Sequence, residues 1–285
     1  MATEPFAALT AINQLRTLMT MLRDGDFGCP WDLKQTIASL APYTLEETYE
    51  VIDAIEKQDM VELEDELGDL LFQVIFYAQI ASEEGAFDFD DVARAITRKL
   101  IRRHPHVFPD GDVDQFGQRP DISADQVLVN WEAIKAEERA EKRQKGGQSD
   151  ESTPASVLDD VPRALPAMER ARKLQKRAAN HGFDWDNIQP VLAKLKEEIA
   201  EFEAAHASGD SAARESEFGD ILFAAVNLAR HCQIEPEIAL RGTNSRFEAR
   251  FKWIEAALHR QQRGLADADL AELDVLWEQA KEAGL

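Results

Sequence analysis

The sequence predicts an all-α protein built from two copies of one helical unit, and three observations carry that prediction. Apolar residues recur at three- and four-residue spacing through nearly every segment, and no stretch sustains the alternation of a half-buried strand. Residues 142–156, KRQKGGQSDESTPAS, hold glycines, polar residues and a proline but no apolar face, as a flexible linker does. On either side of that segment the same four sequence features appear in the same order, which a duplication explains most simply.

The expected helices open near Phe6, Thr44, Asp59, Asp88 and Ser123 in the first half. In the second half they open near Val161, Asn187, Ser211, Glu235 and Asp267. Several of these positions carry Asp, Asn, Ser or Thr, whose side chains accept from the free N–H groups of a first turn. Pro109 to Pro120, rich in Asp and Gly, reads as a loop. The division is therefore residues 1–141, a linker over 142–156, and residues 157–285.

The repeated features are specific. Gly28-Cys29-Pro30-Trp31-Asp32 is echoed by Gly182-Phe183-Asp184-Trp185-Asp186, and Glu46-Glu47-Thr48-Tyr49-Glu50 by Glu197-Glu198-Ile199-Ala200-Glu201. Glu66-Leu67-Gly68-Asp69-Leu70-Leu71-Phe72 is echoed by Glu217-Phe218-Gly219-Asp220-Ile221-Leu222-Phe223. Lys99 and Arg103 have counterparts in Arg246 and Arg250.

Composition narrows the partners. The 285 residues carry 54 acidic against 32 basic side chains, a formal net charge of -22, and 44% are hydrophobic, enough for a buried core. Such a field repels nucleic-acid backbone and anionic membrane surfaces while attracting divalent cations. A small polyphosphate still has access, because Mg²⁺ masks its charge. Two cysteines, Cys29 and Cys232, make no disulfide framework and suit a reducing compartment. The opening MATEPFAALT lacks a basic stretch, and Leu70 to Ala81, broken by Gln73 and Gln79, is too short to span a bilayer. The expectation is a soluble cytoplasmic protein with no nucleic-acid or membrane partner.

The acids point to chemistry. In E-E-x-x-E all three carboxylates project from one side of a helix, and E-x-x-D on the next helix sets two more on one face. Packed together, four or five carboxylates repel unless a cation neutralises them or protons stay bound. Oxygen-only ligation favours Mg²⁺ or Mn²⁺ over zinc. On the first helix Leu45, Thr48, Tyr49, Ile52 and Ile55 form the expected packed face, so Glu46, Glu47 and Glu50 also fit an ordinary solvated face. The second helix is expected to be buried nearly all round, with Glu66, Asp69 and Gln73 as its polar stripe, repeated by Glu217, Asp220 and Asn227. A salt bridge from elsewhere in the fold is the alternative partner for those acids. Lys99 and Arg103, like Arg246 and Arg250, sit one turn apart and suit an anion or ordinary ion pairs. Lys194 stands one turn before Glu198.

Two other readings stay open on these residues. A carboxylate-bridged di-iron bundle wants two E-x-x-H motifs, and only Glu203 to His206 offers one. A helical dimer that binds partner proteins without catalysis is the other; the complete acidic set in each copy speaks against it.

These residues resemble the MazG family of nucleoside triphosphate pyrophosphohydrolases in its tandem two-domain form. The resemblance runs from about Gln14 to Trp277 and rests on GCPWD, LEETYEV, ELGDLLFQV and RRHPHVF in the first half, and on GFDW, EExxE and EFGDILF in the second. It implies an all-α NTP pyrophosphatase fold whose four-helix-bundle core forms on dimerisation, hence a homodimer. It implies ATP-type nucleotide binding and hydrolysis of ribo- and deoxyribonucleoside triphosphates to monophosphate and pyrophosphate. Carried over by position, Glu198, Glu201, Glu217 and Asp220 bind Mg²⁺; Lys194, Arg246 and Arg250 contact the polyphosphate; Trp277 helps hold the nucleotide. The first-copy equivalents are Glu47, Glu50, Glu66 and Asp69, with Lys99 and Arg103. Lys194 aligns with Tyr43, so the first copy lacks that cation, and the second half is the expected main catalytic copy. The general base, Glu197 or another unliganded carboxylate, is left open.

Overall fold

The computed structural model describes residues 5–117, 122–145, 156–159 and 161–285. Among them are ten α-helices, short 3₁₀ turns and no strand. The chain falls into two compact units, Met1–Gln148 and Ser149–Leu285.

In the first unit α1 (Ala11–Leu22), α2 (Ile37–Lys57), α3 (Met60–Glu83), α4 (Phe89–Arg103) and α5 (Ala124–Lys145) follow in order. The α2–α3 hairpin is its centre. Thr36 and Ser39 make a reciprocal capping box at the start of α2, and Asp59 caps α3 by accepting from Val61 and Glu62 N–H. Between them Gln58 takes a left-handed conformation, which turns the chain back on itself. Met19, Leu40, Ile75, Phe76 and Ile80 form the core, covered by Ile12, Leu15 and Phe89.

The second unit holds α6 (Ala167–Ala179), α7 (Ile188–Ser208), α8 (Ser211–His231), α9 (Pro236–Arg260) and α10 (Leu270–Glu282). Its α7–α8 hairpin repeats α2–α3 in register. Asn187 caps where Thr36 does, Gly209 takes the left-handed turn of Gln58, and Asp210 caps where Asp59 does. A separate core of Ile254, Ala257, Leu258 and Leu276 joins α9 to α10, with Trp253, Leu273 and Trp277 against it.

Several expectations need correcting. α2 opens at Ile37, a turn and more before Thr44: the capping box at Thr36 and Ser39 starts it, and the helix runs on through Pro42 at the cost of one backbone hydrogen bond. α6 opens at Ala167 rather than near Val161, since Pro162 and Pro166 bar an earlier start. At the ends of the chain, Phe6 and Asp267 lie in 3₁₀ turns, and α1 and α10 begin at Ala11 and Leu270. α5 runs through Lys145, so the first residues of the expected linker are helical; residues 146–155 and 118–121 lie outside the described residues.

Burial departs most from expectation on α3 and α8. Only their C-terminal halves are enclosed: Ile75, Phe76, Ala78, Ile80 and Ala81 on α3, Ala224 and Val226 on α8. Toward the N-terminal ends Leu67, Leu71, Phe218 and Leu222 face solvent, as do Leu45 and Ile55 on α2. The expected packed face of α2 is therefore only partly covered within one chain.

Candidate active site

Hairpin geometry brings the acids together. In the second unit Glu198 and Glu201 from α7 meet Glu217 from α8, each offering a carboxylate oxygen within 4.8 Å of the others. In the first unit the same pair of helices gathers Glu47, Glu66 and Asp69. Each copy thus clusters three of the four expected ligands. Glu50 and Asp220 stand beside the clusters, Glu50 hydrogen-bonded to Glu47, and Asp220 at the wall of an adjoining cavity.

Crowding shows in the protonation. Burial, then the Asp69 charge and the hydrogen bond with Glu50, push Glu47 up to about 7. Glu66 is raised by its partial desolvation and by Glu50 and Asp69. Glu201 is raised by desolvation and by Glu198, with Lys194 acting against them. Carboxylates crowded in this way are relieved by a neighbouring cation. The donor sets contain oxygen alone, and ligand atoms this close can contract onto one hard divalent ion. The residues fit Mg²⁺ or Mn²⁺. His206 lies outside both clusters and stacks on Phe202, so the described residues supply no E-x-x-H pair for di-iron.

Around the second cluster the surroundings differ from the first. Glu198 is buried, 7% exposed, and Lys194 Nζ lies 2.8 Å from it and 2.8 Å from Glu197. At the equivalent place in α2, Tyr43 packs edge-on to Trp31, with ring centroids 5.7 Å apart. Beside Glu198 opens a cavity of about 580 Å³ between α6, α7, α8 and the GFDW loop, with Lys194, Glu198 and Asp220 in its lining. The loop is positioned by Gly182, whose φ of 84° favours glycine, and by Asp184, which binds Arg230 and His231 on α8. Those two partners hold Asp184 at about 2, against an ordinary 3.8.

Sequence reasoning named Lys194 and the acids but missed Gln175, Asp184 and Arg230, which build the cavity wall. The fold-defining Asp184–Arg230 pair leaves no helical spacing to read, because its members lie on a loop and a distant helix.

The remaining basic residues are not gathered here. Arg246 donates to Thr243, while Arg250 donates to Leu285 O and lies over Trp277 at 5.3 Å. Phe247 packs on Trp277 as well, so Arg250 and Trp277 share one patch on α9 and α10, and neither they nor Arg246 line the cavity. In the first unit Arg103 is committed to Glu138 of α5 at 2.5 Å, with Arg102 on the same carboxylate. Lys99 is exposed.

Two helical hairpins, each carrying a carboxylate cluster, one of them opening into a cavity, define an all-α protein with acidic centres suited to hard cations. Comparison places it further. The family described as the MazG nucleotide pyrophosphohydrolase domain matches residues 35–108, the stretch that holds α2, α3 and α4. A nucleoside triphosphate pyrophosphohydrolase of Escherichia coli is 50% identical over 275 residues, covering 96% of this chain and 98% of its own. The nucleoside triphosphate pyrophosphohydrolase/pyrophosphatase MazG of Thermotoga maritima is 40% identical over 269 residues, covering 94% and 95%. The chain belongs to the MazG family of nucleotide pyrophosphohydrolases and is a hydrolase. No described helix is long and apolar enough to cross a membrane.

Proposed function

We propose that the chain hydrolyses ribo- and deoxyribonucleoside triphosphates between the α and β phosphates, giving monophosphate and pyrophosphate, with Mg²⁺ as cofactor and the second unit as the main catalytic copy. One observation carries this reading: Glu198 belongs at once to the carboxylate cluster and to the wall of the cavity, so an ion and a nucleotide-sized guest share one residue.

Glu198, Glu201, Glu217 and Asp220 would hold the metal, and Glu47, Glu50, Glu66 and Asp69 would hold another in the first unit. A bound Mg²⁺ supplies Lewis acidity and charge neutralisation to the triphosphate. Lys194, already 2.8 Å from Glu198, keeps a positive charge where phosphate oxygens meet the acids. Arg246 and Arg250 would offer guanidinium groups to the remaining phosphate oxygens, and Trp277, 5.3 Å from Arg250, would hold that side chain toward the polyphosphate. Excluding water from the cavity strengthens the charges of Lys194, Glu198 and Asp220 in its lining.

We also propose that the chain works as a homodimer in the cytoplasm. Leu67 and Leu71 on α3, and Phe218 and Leu222 on α8, are apolar and bare beside the acids in a single chain. A second copy of the same hairpin covers such a face as a four-helix bundle.

Incubating the purified chain with each NTP and dNTP and Mg²⁺, then separating products by ion-exchange chromatography, tests the reaction. Monophosphate and pyrophosphate in equal amounts are expected. Diphosphate and orthophosphate instead, or no product, would overturn it.

A further inference from the structure

The cavity of the second unit contains an unspent hydrogen-bond acceptor. Gln175 on α6 is 8% exposed and lines the cavity. Its Nε2 donates to Phe223 O at 2.8 Å, and since a carbonyl only accepts, this bond fixes which end of the amide is which. Oε1 is then left buried with no partner. An orphaned acceptor of this kind costs folding free energy unless something donates to it.

Asn227 on α8 lines the same cavity with the opposite polarity. Its Oδ1 is occupied by Arg230, at 3.0 Å from Nε and 2.8 Å from Nη2. The amide nitrogen of Asn227 is thereby the end available to the cavity, and it can only donate. Trp185 stands in the cavity wall as a flat ring, still 43% exposed. One fixed acceptor, one fixed donor and an aromatic face are what a planar heterocycle with neighbouring N–H and ring-nitrogen or carbonyl groups requires.

The first unit shows the same place closed. Counting from the shared Glu-x-Gly-Asp run, Asn227 on α8 corresponds to Phe76 on α3. Phe76 is 0% exposed and packs with Met19, Leu40 and Ile75 in the core. Phe72 lies against it with ring centroids 5.6 Å apart, and Trp31 is occupied by Tyr43.

We propose that the cavity beside Glu198 is the nucleobase seat of the second unit, with Gln175 Oε1 accepting a base N–H and Asn227 donating to a base acceptor, and that Phe76 fills the corresponding seat in the first. This rests on the nucleotide reading above. Gln175 and Asn227 are specificity-determining residues, and the two copies differ because one carries an amide where the other carries a phenyl ring.

The test is calorimetric titration of the intact chain with nucleoside monophosphates and, separately, with inorganic tripolyphosphate, which has no base. Asn227→Phe, copying the first unit, and Gln175→Met, which keeps shape and removes the acceptor, are each expected to weaken monophosphate binding about tenfold or more. Tripolyphosphate binding in the presence of Mg²⁺ is expected to stay within about twofold. Far-ultraviolet circular dichroism and thermal melting identify any variant that has not folded; Gln175→Met then carries the test alone. Monophosphates that bind both variants as they bind the wild type would overturn the inference, as would loss of binding in Trp277→Ala with none in Asn227→Phe. A wild-type chain that binds monophosphates through Gln175 and Asn227 yet releases no pyrophosphate from NTPs would leave this seat standing and overturn only the reaction.

Discussion

Lys194 Nζ lies 2.8 Å from the buried carboxylate of Glu198, one turn along α7, whereas the matching Tyr43 of α2 packs on Trp31 and gives its cluster no charge. This pair makes the two acidic centres electrostatically unequal. Lys194 is itself held in its charged form by hydrogen bonds to Glu197 and Glu198. Replacing it with Met removes the cation while keeping the length of the side chain. We expect kcat/KM for NTPs to fall by about 10–100-fold, with Lys194→Arg recovering part of the loss. Steady-state kinetics decide it; an unaffected Lys194→Met enzyme would remove Lys194 from the site.

The clusters themselves offer a sharper contrast. Glu201 and Asp220 are exposed in the chain, so Ala at either position leaves no cavity and little change in folding. Each is expected to lower pyrophosphate release by about 100-fold or more, since charge stabilisation in the transition state is lost. Glu66→Ala in the first unit is expected to keep most of the activity. If Glu66→Ala abolishes turnover and Asp220→Ala does not, the main catalytic copy has been assigned to the wrong unit.

Much of this was written in the sequence because it is local. Caps at Asp59, Asp88 and Asn187 lie where a first turn needs them, and the E-E-x-x-E and E-x-x-D spacings place acids on helix faces whatever else surrounds them. What spacing cannot carry is which face meets which. Glu47 fits a solvated face when its helix is read alone, and it is crowded because α3 folds back onto it. Apolar periodicity reported Leu67, Leu71, Phe218 and Leu222 as core, and the single chain leaves them bare. Periodicity records that a face is apolar, not what covers it. By polarity Asn227 falls with Gln73 in one polar stripe, yet in register it matches Phe76. That one-turn offset separates an open cavity from a filled core.

Those bare residues yield a prediction about assembly. Phe218 is 52% exposed and Leu222 42% exposed on the α8 face next to Glu217. A charge placed there faces its own symmetry mate in a two-fold interface and meets no counter-ion. Size-exclusion chromatography with light scattering is expected to give a dimer of the 32.0 kDa chain, and Phe218→Glu a monomer. Activity is expected to fall with the dimer, because the acidic cluster borders that face. A wild-type monomer with full activity would exclude the bundle.

Acid behaviour tests the loop that shapes the cavity. Arg230 and His231 hold the Asp184 carboxyl at about 2, below its ordinary 3.8, so the folded state binds this proton more weakly than the unfolded chain does. The sign follows: Asp184 contributes stability that is fully present above about pH 4 and is lost as pH falls from there toward 2. Asp184→Asn removes the contribution at every pH. Melting curves are therefore expected to separate wild type from Asp184→Asn by about 2–4 °C at pH 7, with the gap closing between pH 4 and pH 2. A gap that stays constant through pH 2 would show that Asp184 carries no charge-dependent contact and that the GFDW loop is held by packing alone.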